Sequence, residues 1–193
     1  MARPREFSAT DAVGAAMELF WSKGYEATST QDLCERTGLG RGSLYNAFGS
    51  KHRLYTEALG RYAEVGFAGQ LQILAGPGSA RDRLRALMLR VVEDDLADPE
   101  HRGCLAVNAA VEAAGRDEAV QQTVREQFLR LELAIREVVQ QGYAAGEFTA
   151  DAAEPVKAAR SLLSSYYGLR VLGKVVSDRE TLIDVVDGAL ARL

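Results

Sequence analysis

Cysteine, histidine, long apolar runs and strand-like alternation are all scarce in this sequence, and each scarcity closes a class of explanation. Two cysteines, Cys34 and Cys104, cannot build a disulfide framework, and a reducing cytosol keeps even a structural pair open, so both are expected as thiols. Two histidines, His52 and His101, sit in no nucleophile or acid–base signature. No glycine-rich phosphate loop follows a strand, and His101 with Cys104 has a ligand-like spacing but no second pair to complete a metal site. The expectation is a protein that is not an enzyme and holds no metal or cofactor. No apolar run approaches the roughly eighteen residues of a membrane span, and MARPREFSA lacks the apolar core of a secretion signal, so a cytoplasmic protein without a membrane partner is expected.

A chain of 193 residues can bury a sizeable core as one domain or two small ones. Its net charge of −4 argues against a protein that coats nucleic acid indiscriminately, but the average hides a split. Residues 1 to 54 hold seven Lys/Arg against six Asp/Glu, net +1, while the remainder holds 16 against 21, net −5. The asymmetry is mild, so cations matter by position. Arg3, Arg5, Arg41, Lys51 and Arg53 are the ones placed to meet phosphates.

What is present in strength is the stretch TSTQDLCERTGLGRGSLYNAFGSK, Thr28 to Lys51. It reads as two short helices broken by a tight turn and followed at once by a third. Thr28, Ser29 and Thr30 can cap the first, whose apolar side carries Leu33, Cys34 and Thr37. Gly38-Leu39-Gly40 ends it, because glycine accepts the left-handed backbone of a helix C-terminus, while Leu39 plugs the gap between helices. In Arg41 to Phe48, Leu44 and Phe48 share one face, leaving Arg41, Gly42, Ser43, Tyr45 and Asn46 elsewhere. A helix of that size fits the major groove, where arginine forks onto guanine and asparagine onto adenine, and a glycine lets the backbone come close. Gly49-Ser50 stops it, and Ser50 can cap the helix carrying Lys51, His52 and Arg53.

The pattern T-S-T-x-x-L-x-x-x-T-G-L-x-x-G-S-L-Y-x-x-F-x-S-K-x-x-L, from Thr28 to Leu54, resembles the DNA-binding domain of TetR-family repressors. The resemblance implies that Thr28, Thr30 and Gln31 start a support helix beside the DNA backbone. It implies that Arg41, Gly42, Ser43, Tyr45 and Asn46 face the groove, with Tyr45 and Lys51 gripping phosphate. Base reading is expected from Arg41 and Asn46, and close approach at Gly42; His52 is expected to be solvated.

Around this motif, Met1 to Phe7 is either a disordered tail or an arm that follows the DNA backbone or minor groove. A helix from Ser8 or Thr10, with Thr10 and Asp11 as cap candidates, carries Val13, Ala16, Met17, Phe20 and Trp21, and closes at Gly24. Met17, Phe20, Leu33, Leu44 and Phe48 are expected as the head's core, together with Cys34; Trp21 is expected as partly buried packing. Leu54, Ala58, Tyr62 and Val65 extend the next helix toward Leu74, where Gly60, Gly66 and Gly69 mark either weakness or close approach of other helices. Gly76-Pro77-Gly78 breaks the chain, and Ser79 to Asp82 has capping-box spacing. Helices are then expected at about Ala80 to Leu96, Gly103 to Ala114, Glu118 to Gln141, Ala152 to Gly173 and Ser177 to Leu193, with Gly142 to Phe148 as a loop. The reading is all-α with about nine helices: a helix-turn-helix head at 1–50, a connector helix at 51–75 and a helical effector-binding and dimerisation body at 76–193.

For the body, the resemblance implies a homodimer on a palindromic operator in double-stranded DNA, released by a small molecule. The last two helices would meet their symmetry mates through Leu162, Leu163, Tyr166, Leu169, Val185, Val186 and Leu190. Met88, Val92, Val107, Val111, Phe128, Leu131 and Tyr166, with Asn108 and Glu112, either line an effector cavity or form core. Cys104, beside Arg102 and three residues after His101, is either a redox or electrophile sensor or a small buried side chain. The rival reading is a helical interaction protein without a DNA-binding role.

Overall fold

The computed structural model describes residues 8–149 and 154–193. Among them every regular element is a helix: α1 (Ala9–Lys23), α2 (Thr30–Thr37), α3 (Arg41–Phe48), α4 (Lys51–Leu74), α5 (Ala80–Ala97), α6 (Leu105–Glu112), α7 (Glu118–Ala144), α8 (Pro155–Leu172) and α9 (Arg179–Leu190). Arg3 and Arg5, and the expected start of a helix at Ala152, lie outside the described residues. The chain divides into two compact units with the boundary between Ala63 and Glu64, inside α4.

The first unit is built on a small apolar centre. Ala12, Ala16 and Phe20 of α1, Leu33 of α2, Leu44 and Phe48 of α3, and Leu54, Tyr55, Ala58 and Leu59 of α4 are all buried. Phe20 meets Tyr55 edge-on at 5.0 Å, so the first turns of α4 close the head rather than merely leave it. The same helix contributes core to the first unit and then continues into the second. Met17 and Cys34 are only half-buried, and Trp21 packs edge-on against Tyr62 at 5.1 Å.

Caps set the helix starts. Ser8, not Thr10 or Asp11, caps α1 by accepting the Asp11 amide at 3.3 Å. Ser29 caps α2 and Ser79 caps α5, each in a complete capping box with the aspartate three residues on.

The second unit packs α5, α7, α8 and α9 around one apolar cluster that includes Leu84, Met88, Val92, Leu131, Ile135 and Leu182, while α6 lies against α7 and α8. Each such side chain contributes about 1.5–3 kcal/mol through its removal from water. One ion pair is buried beside it: Arg170 donates to Asp95 Oδ1 at 2.6 Å. Burial raises the Asp95 carboxyl above its ordinary value although Arg170 opposes the change.

Gly142 is where the expected loop fails. α7 continues through it to Ala144, and Gly142 is buried with the Phe148 ring laid on its backbone. A Cβ there would stand 2.1 Å from Phe148, so this glycine is needed for close approach and not for a turn. The turn itself uses Gly146, at φ 72°. Glu147 then places its carboxylate on the first amides of α5, at 3.1 and 3.2 Å from the Ala80 and Arg81 nitrogens, where the helix dipole favours negative charge.

Candidate nucleic-acid interface

The geometry of the head follows from three local decisions. Asp32 accepts from the Ser29 amide at 2.7 Å, from the Ser29 hydroxyl at 2.8 Å and from Lys23 at 2.6 Å, which ties the start of α2 to the end of α1. The Lys23 contact first, and then the Ser29 donors, hold the Asp32 carboxyl well below its ordinary value. Gly38, at φ 73°, caps α2 in the left-handed region and its amide donates to the Cys34 carbonyl. Gly40, in extended conformation, then starts α3 with no side chain on its first amides.

With α3 anchored by Leu44 and Phe48, its outward surface carries Arg41, Gly42, Ser43, Tyr45, Asn46 and Ala47. A Cβ added at Gly42 meets nothing within 4 Å, so packing within the chain does not explain a glycine there. At the edge of this face the Thr30 and Tyr45 hydroxyls are 3.1 Å apart, one from each helix. The Arg41 guanidinium lies 5.9 Å from the Tyr45 ring centroid. The Lys51 ammonium rests 4.4 Å from the Tyr25 ring centroid, which holds a cation at the start of α4. Ser50 accepts the Arg53 amide at 3.0 Å, the cap the sequence implied.

The structure thus brings Thr30, Arg41, Gly42, Ser43, Tyr45 and Asn46 to neighbouring positions on α2 and α3. Gln31 is exposed too, but its amide donates to Glu35 at 3.0 Å along the same helix. Thr28 is a correction. It is 0% exposed and its hydroxyl donates to the Gly24 carbonyl at 2.6 Å, so it holds the α1–α2 connection and does not reach a ligand. Arg53 pairs with Glu57 one turn on, at 3.3 Å. Sequence reasoning missed the Asp32 network, which the Ser29-x-x-Asp32 spacing signals, and the hydroxyl pair, which no local spacing signals.

The expected effector residues disperse. Met88 and Leu131 are buried in the apolar cluster, as is Val92. Val111 is 85% exposed and faces away from any interior site. Asn108 has both ends engaged: its amide donates to the Arg102 carbonyl and its oxygen accepts from Lys174, each at 3.0 Å. Cys104 is buried at the N-cap of α6, and Arg102 gives its Nε to Asp98 at 3.2 Å, so the thiol meets dissolved oxidants only if the fold opens. Tyr166 is buried and takes a hydrogen bond from Gln70 at 2.9 Å; Phe128 stacks on Tyr167 at 4.0 Å between centroids. A groove of about 510 Å³ lies between α4 and α7, lined by Phe67, Leu71, Arg130, Leu133, Ala134, Arg136, Glu137 and Gln140, none of them an expected lining residue.

The expected dimer residues need the same correction. Leu162, Tyr166, Leu169, Val186 and Leu190 are buried in the chain's own core, because it is the inner stripe of each helix that the apolar period picks out. Leu163 and Val185 are half-buried, and the outward faces carry Ser161, Ser164, Val171, Leu172, Asp184 and Gly188.

Comparison with known proteins gives this geometry its setting. Residues 13–58 match the family model for bacterial regulatory proteins of the tetR family, and residues 80–187 match the tetracyclin repressor-like C-terminal domain. The uncharacterized HTH-type transcriptional regulator YezE of Bacillus subtilis is 32% identical over 194 residues, covering all of both chains. The HTH-type transcriptional repressor ComR of Escherichia coli is 29% identical over 75% of this chain and 70% of its own. Among solved structures, a cysteine variant of the TetR family regulator CifR, complexed with 26 bp double-strand operator DNA, superposes with a TM-score of 0.84 at 34% identity, covering 98% of each chain. A helix-turn-helix face built as described, on a chain matched from end to end, places this protein in the TetR family of bacterial transcriptional regulators.

Proposed function

We propose that the protein is a homodimeric repressor that binds a palindromic operator through α2 and α3 and leaves it when a small molecule engages the body. The observation that carries this reading is the outward face of α3, where Arg41, Gly42, Ser43, Tyr45 and Asn46 are all exposed while Leu44 and Phe48 anchor the helix from behind. Arg41 and Asn46 read bases, Gly42 lets the backbone come close, and the Thr30 and Tyr45 hydroxyls share a phosphate with Lys51 as the nearby cation. DNA bound to CifR supports the reading by likeness.

One such head reads too few base pairs to be specific, so two are required, about 34 Å apart along the duplex. The small and apolar outward residues of α8 and α9, Ser161, Ser164, Val171, Leu172 and Gly188, fit a close two-fold contact. Because α4 contributes to both units, a ligand that favours one placement of α4 in the body changes the DNA-binding competence of the pair. Acting on DNA, the protein works in the cytoplasm and performs no catalysis.

Selection of bound duplexes from random DNA tests the proposal. The expected outcome is an enriched palindrome with half-sites about one helical turn apart. Enrichment of no sequence, or of a single asymmetric site by a monomer, contradicts it.

A further inference from the structure

The link between α1 and α2 is built around one aromatic ring. Gly24, at φ 82°, ends α1, and the buried Thr28 closes the link from the other side: its hydroxyl donates to the Gly24 carbonyl at 2.6 Å and its amide to the Tyr25 carbonyl at 3.3 Å. Between them the Tyr25 ring is fixed by other rings, with centroids 4.7 Å from Tyr55, 6.2 Å from Phe20 and, edge-on, 6.4 Å from His52. Phe20 and Tyr55 are buried, so the Tyr25 ring leans on the apolar centre of the first unit and is itself half-buried.

Lys51 rests on that ring, its ammonium 4.4 Å from the centroid. α4 opens with Lys51, His52 and Arg53 and has no acidic residue in its first turn, although the positive end of a helix dipole disfavours cations. One turn on from Lys51 stand Leu54 and Tyr55, both buried and uncharged, so α4 offers it no carboxylate there. Two other cations of the head are neutralised: Lys23 pairs with Asp32 at 2.6 Å and Arg53 with Glu57 at 3.3 Å. A carboxylate orders a cation and cancels its charge; an aromatic ring orders it and leaves the charge whole. A phosphate contact needs that second condition, because a free lysine must give up the freedom of its long stem on binding.

We propose that Tyr25 is a positioning residue for DNA binding, a seat that holds the Lys51 ammonium ordered and still charged for one phosphate of the duplex in each head. The proposal rests on the reading of Lys51 as a phosphate contact and adds the residue that presents it. It also gives the buried Thr28 a part in binding, at two removes: the Thr28 hydroxyl shapes the link, the link sets the ring, and the ring sets the cation. The π-face holds the cation and the phenol oxygen does not, so phenylalanine serves at this position and leucine does not.

Two measurements on the full-length protein test this. In the free protein, the ring current over the Tyr25 face shifts the Lys51 ε-methylene protons upfield of their usual NMR position. The signal is identified by its loss in Lys51→Ala, persists in Tyr25→Phe and returns to the usual position in Tyr25→Leu. In titrations at fixed salt, Tyr25→Leu weakens binding to the selected palindrome by about two- to fivefold per head, and Tyr25→Phe restores it. A double-mutant cycle separates a seat from a general loosening of the head. Lys51→Ala costs about two- to fivefold less per head in the Tyr25→Leu background than in wild type, whereas Arg53→Ala costs the same in both. Equal coupling of Tyr25 to Lys51 and Arg53, or coupling to neither, overturns the seat while the DNA reading stands. Lys51 protons at their usual position in the wild-type protein overturn it too, and that measurement decides the matter even where Tyr25→Leu does not fold. If Lys51→Ala binds like wild type, the phosphate role and the seat fall together. If the wild-type protein binds no duplex, the repressor reading fails, and the proton shift still decides whether the ring holds the cation.

Discussion

In the first unit the side chains proposed to meet DNA face outward and the buried ones are apolar or locally satisfied; the second unit keeps buried polar atoms that make no hydrogen bond. Arg41, Tyr45 and Asn46 stand on an exposed helix face, while the buried Thr28 spends its hydroxyl on the Gly24 carbonyl. In the body, Gln127, Asp95 and Tyr167 keep buried polar atoms with no partner. DNA is a large ligand that needs no cavity, so its reader can be fully satisfied before it binds. The contrast separates a surface that can be scanned residue by residue from an interior whose buried groups must be perturbed in pairs.

The largest expected effect breaks the interior. Arg170→Leu leaves Asp95 buried without its partner and should cost about 3–5 kcal/mol in urea unfolding, while Asp95→Leu combined with Arg170→Leu recovers most of it. If the double variant is no more stable than the single one, the ion pair is not what holds α5 to α8.

Next in size come the head variants, which should leave stability nearly unchanged. Arg41→Ala relaxes discrimination at one base pair by about 1–3 kcal/mol, whereas Lys51→Ala weakens all duplexes alike and reduces the salt slope by about one. Competition titrations with single-base operator variants separate the two, and equal loss on specific and random DNA by both removes the division of roles.

A smaller effect concerns the helix the units share. Gly60, Gly66 and Gly69 have open space where a Cβ would go, so no neighbour in the described chain requires them. Gly69→Ala, at an exposed site, should raise stability by up to about 1 kcal/mol through helix propensity alone. A loss of stability instead points to close approach by a second copy of the chain.

The smallest concerns acid. The folded Asp32 carboxyl is depressed below 3.8, so its contribution is present above that value and is lost as pH falls through the folded value. Asp32→Asn should lower Tm at neutral pH, and the gap to wild type should narrow as the pH drops below 4.

How much of this was legible depended on distance along the chain. The turn at Gly38 and Gly40, the anchors Leu44 and Phe48, and the caps at Ser50 and Ser79 are local and were read correctly. Thr28 was misread because three adjacent hydroxyls look alike until one of them is buried. Gly142 was misread because periodicity cannot show a ring packed onto a backbone. Five of the seven expected dimer residues are buried in the chain's own core, because an apolar stripe marks the face turned to that core and is silent about a partner. The Gln70–Tyr166 bond joins residues 96 positions apart, and nothing in either neighbourhood announces it.

The account rests on paired heads that read DNA through α3. Its most direct test is the equilibrium affinity of the purified protein for the selected palindrome, a half-site duplex and a scrambled duplex, between about 50 and 200 mM salt. The account predicts one dimer per palindrome, a preference of roughly a thousandfold or more over the scrambled duplex, and affinity that falls steeply with salt. Equal affinity for all three, or no binding at the lowest salt, contradicts it.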